Sequence, residues 1–137
     1  MSSSRRFPAD PASAPAARRF VLGAVGPLPR EAGESVALMV SELATNAILH
    51  GQTDFEVDVE LTEGSLLVAV TDRGRGSPEV QQPAVTEMHG RGLMIVQSLA
   101  DDWGVTAASG GAGKTVWFRL RLQPTEPTAS GRGRPRA

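Results

Sequence analysis

Ser41-Glu42-Leu43-Ala44-Thr45-Asn46-Ala47-Ile48-Leu49-His50-Gly51 is the stretch that decides how this chain reads. Val36, Val40, Leu43 and Ala47 recur at intervals of four, three and four residues. That period predicts a helix with one buried face, running from Glu31 or Glu34 to His50, with Gly51 closing it as a C′ residue. Glu42, Asn46 and His50 are also four apart and form a second stripe, turned about 100° from the apolar one. An amide oxygen is a hard ligand suited to Mg²⁺. A carboxylate one turn away can polarise an attacking hydroxyl or water. The same residues also suit the ordinary polar face of an amphipathic helix.

Upstream, Ser4–Phe7 is a strand candidate ended by Pro8. Asp10 or Ser13 can cap a helix over Ala14–Val25, with Pro15 tolerated in its first turn and Ala17, Phe20, Val21 and Ala24 on one face. Gly26-Pro27-Leu28-Pro29 stops that helix. Downstream, Phe55, Val57, Val59 and Leu61 alternate with Glu56, Asp58 and Glu60, the pattern of a half-buried strand. Glu63-Gly64 turns the chain into a returning strand, Leu66–Thr71. Residues 73–90 are glycine- and proline-rich and read as a long loop, a feature that in compact domains usually carries function. A third helix is expected over Arg91–Ala100, with Leu93, Ile95 or Val96, and Leu99 inward. Trp103–Ala107 and Thr115–Leu122 complete the order β-α-α-β-β-loop-α-β-β. This order predicts an α/β (α+β) two-layer sandwich, with helices on one face of a mixed, mostly antiparallel sheet.

The 137 residues suit one domain, placed at 1–123. From Pro124 the chain is Pro, Thr, Gly, Ser and Arg, and 124–137 reads as a disordered basic tail. Cysteine is absent, which excludes disulfides, a thiolate nucleophile and a cysteine zinc site. His50 and His89 are too few for a histidine-rich metal site. No apolar run approaches a membrane span. Arg5-Arg6-Phe7 is followed by Pro8, Asp10 and Pro11 where an export signal needs apolar residues, so the expected location is the cytoplasm. Residues 21–123 carry seven basic and thirteen acidic side chains, which argues against direct nucleic-acid binding.

Three further motifs can carry chemistry. Asp72-Arg73-Gly74-Arg75-Gly76 follows an apolar strand. An aspartate there can accept a bond from an exocyclic amine, and the glycines admit a flat base; a plain Asp-Arg-Gly turn also fits. Gly90-Arg91-Gly92-Leu93 opens a helix, where uncovered N–H groups suit phosphate or merely a flexible entry. Gly110-Gly111-Ala112-Gly113-Lys114-Thr115 resembles a P-loop. The first required glycine would be Ala108, however, and Val116–Leu120 continues as a strand rather than a helix. The P-loop is rejected.

In this order and spacing the four motifs resemble the boxes of the histidine-kinase-like ATPase superfamily, the Bergerat ATP-binding fold. The wording SELATNAILHG, GRGLMIVQSLADDWGV and GKTVWFRL is closest to the bacterial anti-sigma-factor serine/threonine kinase branch, over about residues 4–122. The resemblance implies ATP and Mg²⁺ as cofactors. It implies Asn46 as the Mg²⁺ ligand and Asp72 as the partner of the adenine amine, in a pocket shaped by Gly74 and Gly76. Residues 77–90 would form a lid. Gly90 and Gly92 would meet the phosphates, Arg91 and Leu93 would be further cofactor-binding residues, Thr115 would support the water network at adenine, and Glu42 would be the general base. For His50 a structural role at the helix end is expected.

Members of that branch phosphorylate a serine or threonine of a STAS-domain anti-anti-sigma protein and, in competition, bind a sigma factor. They act as homodimers by the same resemblance. A histidine kinase proper would carry a dimerising hairpin with an acceptor histidine; residues 1–40 do not read as one, so that reading is not the expected one. The alternatives are a non-catalytic ATP-binding module that sequesters a sigma factor or other regulator, and a stand-alone ATPase.

Overall fold

The structure, a computed structural model, describes residues 1–74, 93–107 and 113–122. In chain order the elements are β1 (Ser2–Phe7), α1 (Ser13–Val25), α2 (Arg30–Asn46), a π-helical turn (Ala47–Gly51), β2 (Phe55–Thr62), β3 (Ser65–Asp72), α3 (Met94–Leu99), β4 (Asp102–Ala107) and β5 (Lys114–Arg121). This is the expected order. The five strands form one sheet in the order β1-β2-β3-β5-β4.

Every neighbouring pair of those strands is antiparallel, in line with the mostly antiparallel sheet expected but without its parallel pair. The reason is the placement of β5. β3 and β4 run in the same direction and are joined through α3, the connection that ordinarily makes a parallel pair. Here β5 returns between them and pairs with both. At the far edge, β1 comes back to β2 with Phe7 opposite Phe55 and Ser4 opposite Asp58. Ser4 Oγ donates to Asp58, and the Phe7 and Phe55 rings stack with centroids 5.6 Å apart.

Alternation on the strands makes two unlike faces. Phe55, Val57 and Val59, then Leu66, Val68 and Val70, then Val116 and Phe118 are buried. They meet Ala17 and Val21 of α1, Val36, Met39, Val40, Leu43 and Ala44 of α2, and Leu93 and Val96 beside and on α3. Each buried Val, Leu, Met or Phe side chain among them stabilises the fold by roughly 1.5–3 kcal/mol. Val96, rather than Ile95, is the inward residue of α3. No helix among the described residues is long and apolar enough to cross a membrane.

The helix ends depart from expectation. α1 begins at Ser13 behind Ala12 and has no side-chain cap. Asp10 Oδ1 instead accepts from the Ala12 N–H at 2.8 Å, and Ser13 Oγ donates to the Pro8 carbonyl at 2.8 Å. Both side chains are spent on the turn leading into the helix. α2 starts at Arg30 directly behind Pro29, whose extended backbone sets the entry. Its end is not a glycine cap: Ala47–Gly51 widens into a π turn, and the left-handed residue is Gln52, at φ 59°.

Candidate functional site

Asp72 ends β3 on the helix-covered face and is buried. A carboxylate is strongly disfavoured there unless it is paired. Lys114 opens β5 directly opposite in the antiparallel register, and its Nζ donates to Asp72 Oδ2 at 2.9 Å, with side-chain exposures of 7% and 3%. Asp72 Oδ1, by contrast, is buried with no hydrogen-bond partner among the described residues. Orphaned buried polar atoms are rare, and each calls for an explanation such as a ligand.

Two glycines allow the aspartate to sit there. A Cβ on Gly51 would lie 2.7 Å from Asp72 Cβ and 2.8 Å from its Cγ. Gly113 holds φ +81°, and a Cβ there would overlap the Asp72 carbonyl oxygen and come 2.7 Å from the Arg73 carbonyl carbon. Beyond the strand, the Arg73 N–H donates to Thr53 Oγ1 at 3.2 Å, and Gly74 turns at φ 40°. Gly51 is thus required by the close approach of Asp72, while the helix closure expected of it belongs to Gln52.

Asn46 is the last residue of α2, immediately before the π turn. Its Nδ2 is the second buried polar atom without a partner among the described residues. Glu42 lies one turn earlier and is half-buried. The α2 backbone beside it is tied to α1, since Arg18 Nη1 donates to Ser41 Oγ at 2.9 Å and Ser41 Oγ donates to the Ala37 carbonyl at 2.9 Å. His50 sits in the π turn and is exposed. π turns inside helices frequently mark functional sites, and this one carries the chain from Asn46 to the glycine beneath Asp72.

Thr115 requires a correction. Successive strand residues point to opposite faces, so Thr115 faces away from Asp72. Its Oγ1 is 2.7 Å from Thr71 Oγ1. It lines an open-face groove of about 280 Å³ with Leu67, Ala69, Trp117 and Arg119. The side chain of β5 beside the aspartate is that of Lys114, which the sequence reading noticed only as part of a rejected P-loop. The rejection itself stands, because Lys114 begins a strand. The signal that finds its role is the β3–β5 register. Leu93 is 1% exposed within the core, so its side chain is committed to packing and its backbone is what remains for a phosphate. Gly76, Gly90, Arg91, Gly92 and the lid expected over 77–90 lie outside the described residues.

The geometry thus holds a buried carboxylate at the end of β3 and an amide at the end of α2, each with one polar atom that has no partner among the described residues, on an antiparallel α+β sandwich. The family profile of the histidine kinase-like ATPase domain matches residues 7–120, and the chain belongs to that family. Among solved structures, the blue-light activated histidine kinase of Erythrobacter litoralis EL346 is similar, with 25% identity and a TM-score of 0.55 over 85% of this chain and 42% of that one. The histidine kinase domain of the same protein matches at 24% identity and a TM-score of 0.50, over 85% of this chain and 62% of that chain. The chain therefore spans less than two-thirds of the length of either. No curated protein sequence matches significantly.

Membership in this family implies ATP binding. The donor set fits such a ligand: Asp72 Oδ1 is an unspent acceptor for an exocyclic amine, and the Asn46 amide oxygen is of the type that Mg²⁺ takes.

Proposed function

We propose that this chain is an ATP-binding serine/threonine protein kinase of the anti-sigma-factor type, which phosphorylates a STAS-domain anti-anti-sigma protein in a partner-switching system. The observation that carries the nucleotide reading is the buried Oδ1 of Asp72, which has no hydrogen-bond partner among the described residues. The serine/threonine reading rests on Glu42 standing one turn before Asn46 on α2, and on the wording of the three motif segments.

In this reading Asp72 accepts from the base, and Asn46 ligates Mg²⁺. Glu42 takes the proton of the acceptor hydroxyl as its oxygen attacks, a role that needs a carboxylate within reach of the substrate. Bound Mg-ATP supplies the phosphoryl group and the metal charge that offsets it. The chain's own contribution is positioning and electrostatics, as in phosphoryl transfer generally. A sigma factor competing with the antagonist, and a second copy of the chain, are the further partners. The bond that would break is the terminal phosphoanhydride, and the new bond is a phosphate ester on serine or threonine.

The test is calorimetric titration of Mg-ATP, followed by transfer to a STAS protein with Glu42→Ala alongside. The expected result is Mg-dependent binding, acid-stable phosphoserine or phosphothreonine on the acceptor, and loss of transfer but not of binding in Glu42→Ala. Acid-labile phosphohistidine would instead make this a histidine kinase domain. Binding without transfer to any STAS protein would leave a nucleotide-dependent sequestering module.

A further inference from the structure

Lys114 is the single lysine of the chain, alongside thirteen arginines. A lysine normally takes its ammonium to water along a flexible stem, yet this one is buried against Asp72. The opposed register of β3 and β5 brings the two side chains together on the helix-covered face. Gly113, immediately before Lys114, lets the β5 backbone approach Asp72 and Arg73 more closely than any side chain would allow. An ammonium has three N–H donors. One is given to Asp72 Oδ2, and no second hydrogen-bond acceptor for Nζ is found among the described residues. Asp72 Oδ1 is likewise unmatched. Among the described residues the ion pair therefore leaves one carboxylate oxygen and the remaining ammonium N–H groups without partners, on two buried side chains.

That order of groups is chemically selective. The hydrogen-bonding edge of adenine offers its exocyclic amine as donor beside ring N1 as acceptor. Guanine and hypoxanthine present a carbonyl acceptor beside an N1–H donor, the reverse order. A buried site built for one order strongly rejects the other, because its own polar groups would be left unpaired. We propose that Lys114 is a base-selecting residue: Asp72 Oδ1 accepts from the adenine amine while Lys114 Nζ donates to adenine N1. The ion pair does two jobs, holding the aspartate as a pure acceptor and supplying the adjacent donor. The proposal rests on the nucleotide reading above and goes further by assigning the second half of base recognition to a side chain.

The experiment is calorimetry on the full chain with three probes: ATP, 1-deaza-ATP, which lacks the N1 acceptor, and inosine triphosphate. Wild type and Lys114→Met are compared, with Asp72→Asn/Lys114→Met as a variant that leaves no unpaired buried charge if the single substitution does not fold. Wild type is expected to bind 1-deaza-ATP about tenfold to a hundredfold more weakly than ATP, the range for one buried hydrogen bond. Inosine triphosphate should bind more weakly still. In Lys114→Met, ATP affinity falls to the level of 1-deaza-ATP and their ratio approaches one, a change that mere destabilisation does not produce. An equal ratio in wild type and Lys114→Met, or no penalty in wild type, overturns the assignment while leaving the nucleotide reading intact. A wild-type protein that binds no adenine nucleotide overturns that reading itself.

Discussion

Gly51 packs directly beneath the carboxyl group of Asp72, closely enough that a Cβ at position 51 would lie 2.8 Å from Asp72 Cγ. The contact links the π turn after α2 to the end of β3, two elements separated in sequence by β2 and its connections. It makes the position of the buried carboxylate dependent on the backbone path that leaves Asn46.

Gly51→Ala is therefore expected to push either the turn or the aspartate. Overpacking of this kind costs about 1–3 kcal/mol. Because the displaced group is Asp72, nucleotide affinity should fall by more than the loss of stability explains. Denaturant unfolding and Mg-ATP calorimetry on the same preparation separate the two. Unchanged affinity in a destabilised protein would show that the turn yields and the carboxylate stays.

The Asp72–Lys114 pair gives a stability prediction that is independent of any ligand. Removing one partner of a buried ion pair leaves an uncompensated charge and costs about 3–5 kcal/mol, whereas replacing both can be nearly neutral. Asp72→Asn should lower stability by roughly that amount, and Lys114→Met likewise. Asp72→Asn/Lys114→Met should recover most of the loss. A double-mutant cycle in urea measures the coupling. Additive losses would mean that water already screens the pair.

Much of the fold was legible because burial follows simple periods. Phe55, Val57 and Val59 are buried as their alternation requires, and Val36, Val40 and Leu43 line the inner face of α2, with Ala47 buried at the start of the π turn. What resisted reading was long-range. Nothing local in Ser2–Phe7 says that it pairs with Phe55–Glu60, and nothing local in Lys114-Thr115 says which residue shares a face with Asp72. That choice is set by strand register, and one residue of slip exchanges the faces. The resemblance gave Thr115 the place that the register gives to Lys114. Gly51 was read from the frequency of glycine at helix ends, while its actual constraint is a side chain 21 positions away in sequence. Asp72 and Asn46 end β3 and α2, and each keeps one buried polar atom without a partner among the described residues.

The left-handed residue Gln52 yields a third expectation. At φ 59° it holds a conformation that costs a residue with a Cβ about 1 kcal/mol or more relative to glycine. Its side chain is exposed, so substitution removes no core packing. Gln52→Gly should stabilise the protein by somewhat less than 1 kcal/mol, since glycine also gains freedom in the unfolded chain. In a domain of this size that raises Tm by on the order of 2–3 °C. A fall in Tm would mean that the flexibility added to the unfolded state outweighs the relief of the turn.

Asn46 sets stability against function most directly. Its Nδ2 is buried without a hydrogen-bond partner among the described residues, a situation that costs about 1–3 kcal/mol. It also occupies the last position of α2, where alanine has the higher helix propensity. Asn46→Ala should therefore raise the Tm of the nucleotide-free protein, and the same substitution should abolish the Mg²⁺ dependence of nucleotide binding. Residues kept at an active site at the expense of stability behave in this way. Thermal unfolding with and without Mg-ATP reads both effects. Wild type should gain Tm on adding Mg-ATP through preferential binding to the folded state, and Asn46→Ala should start higher and gain little. A variant that starts lower would show that the amide is a structural ligand of the π turn, and its claim to the metal would lose its physical basis.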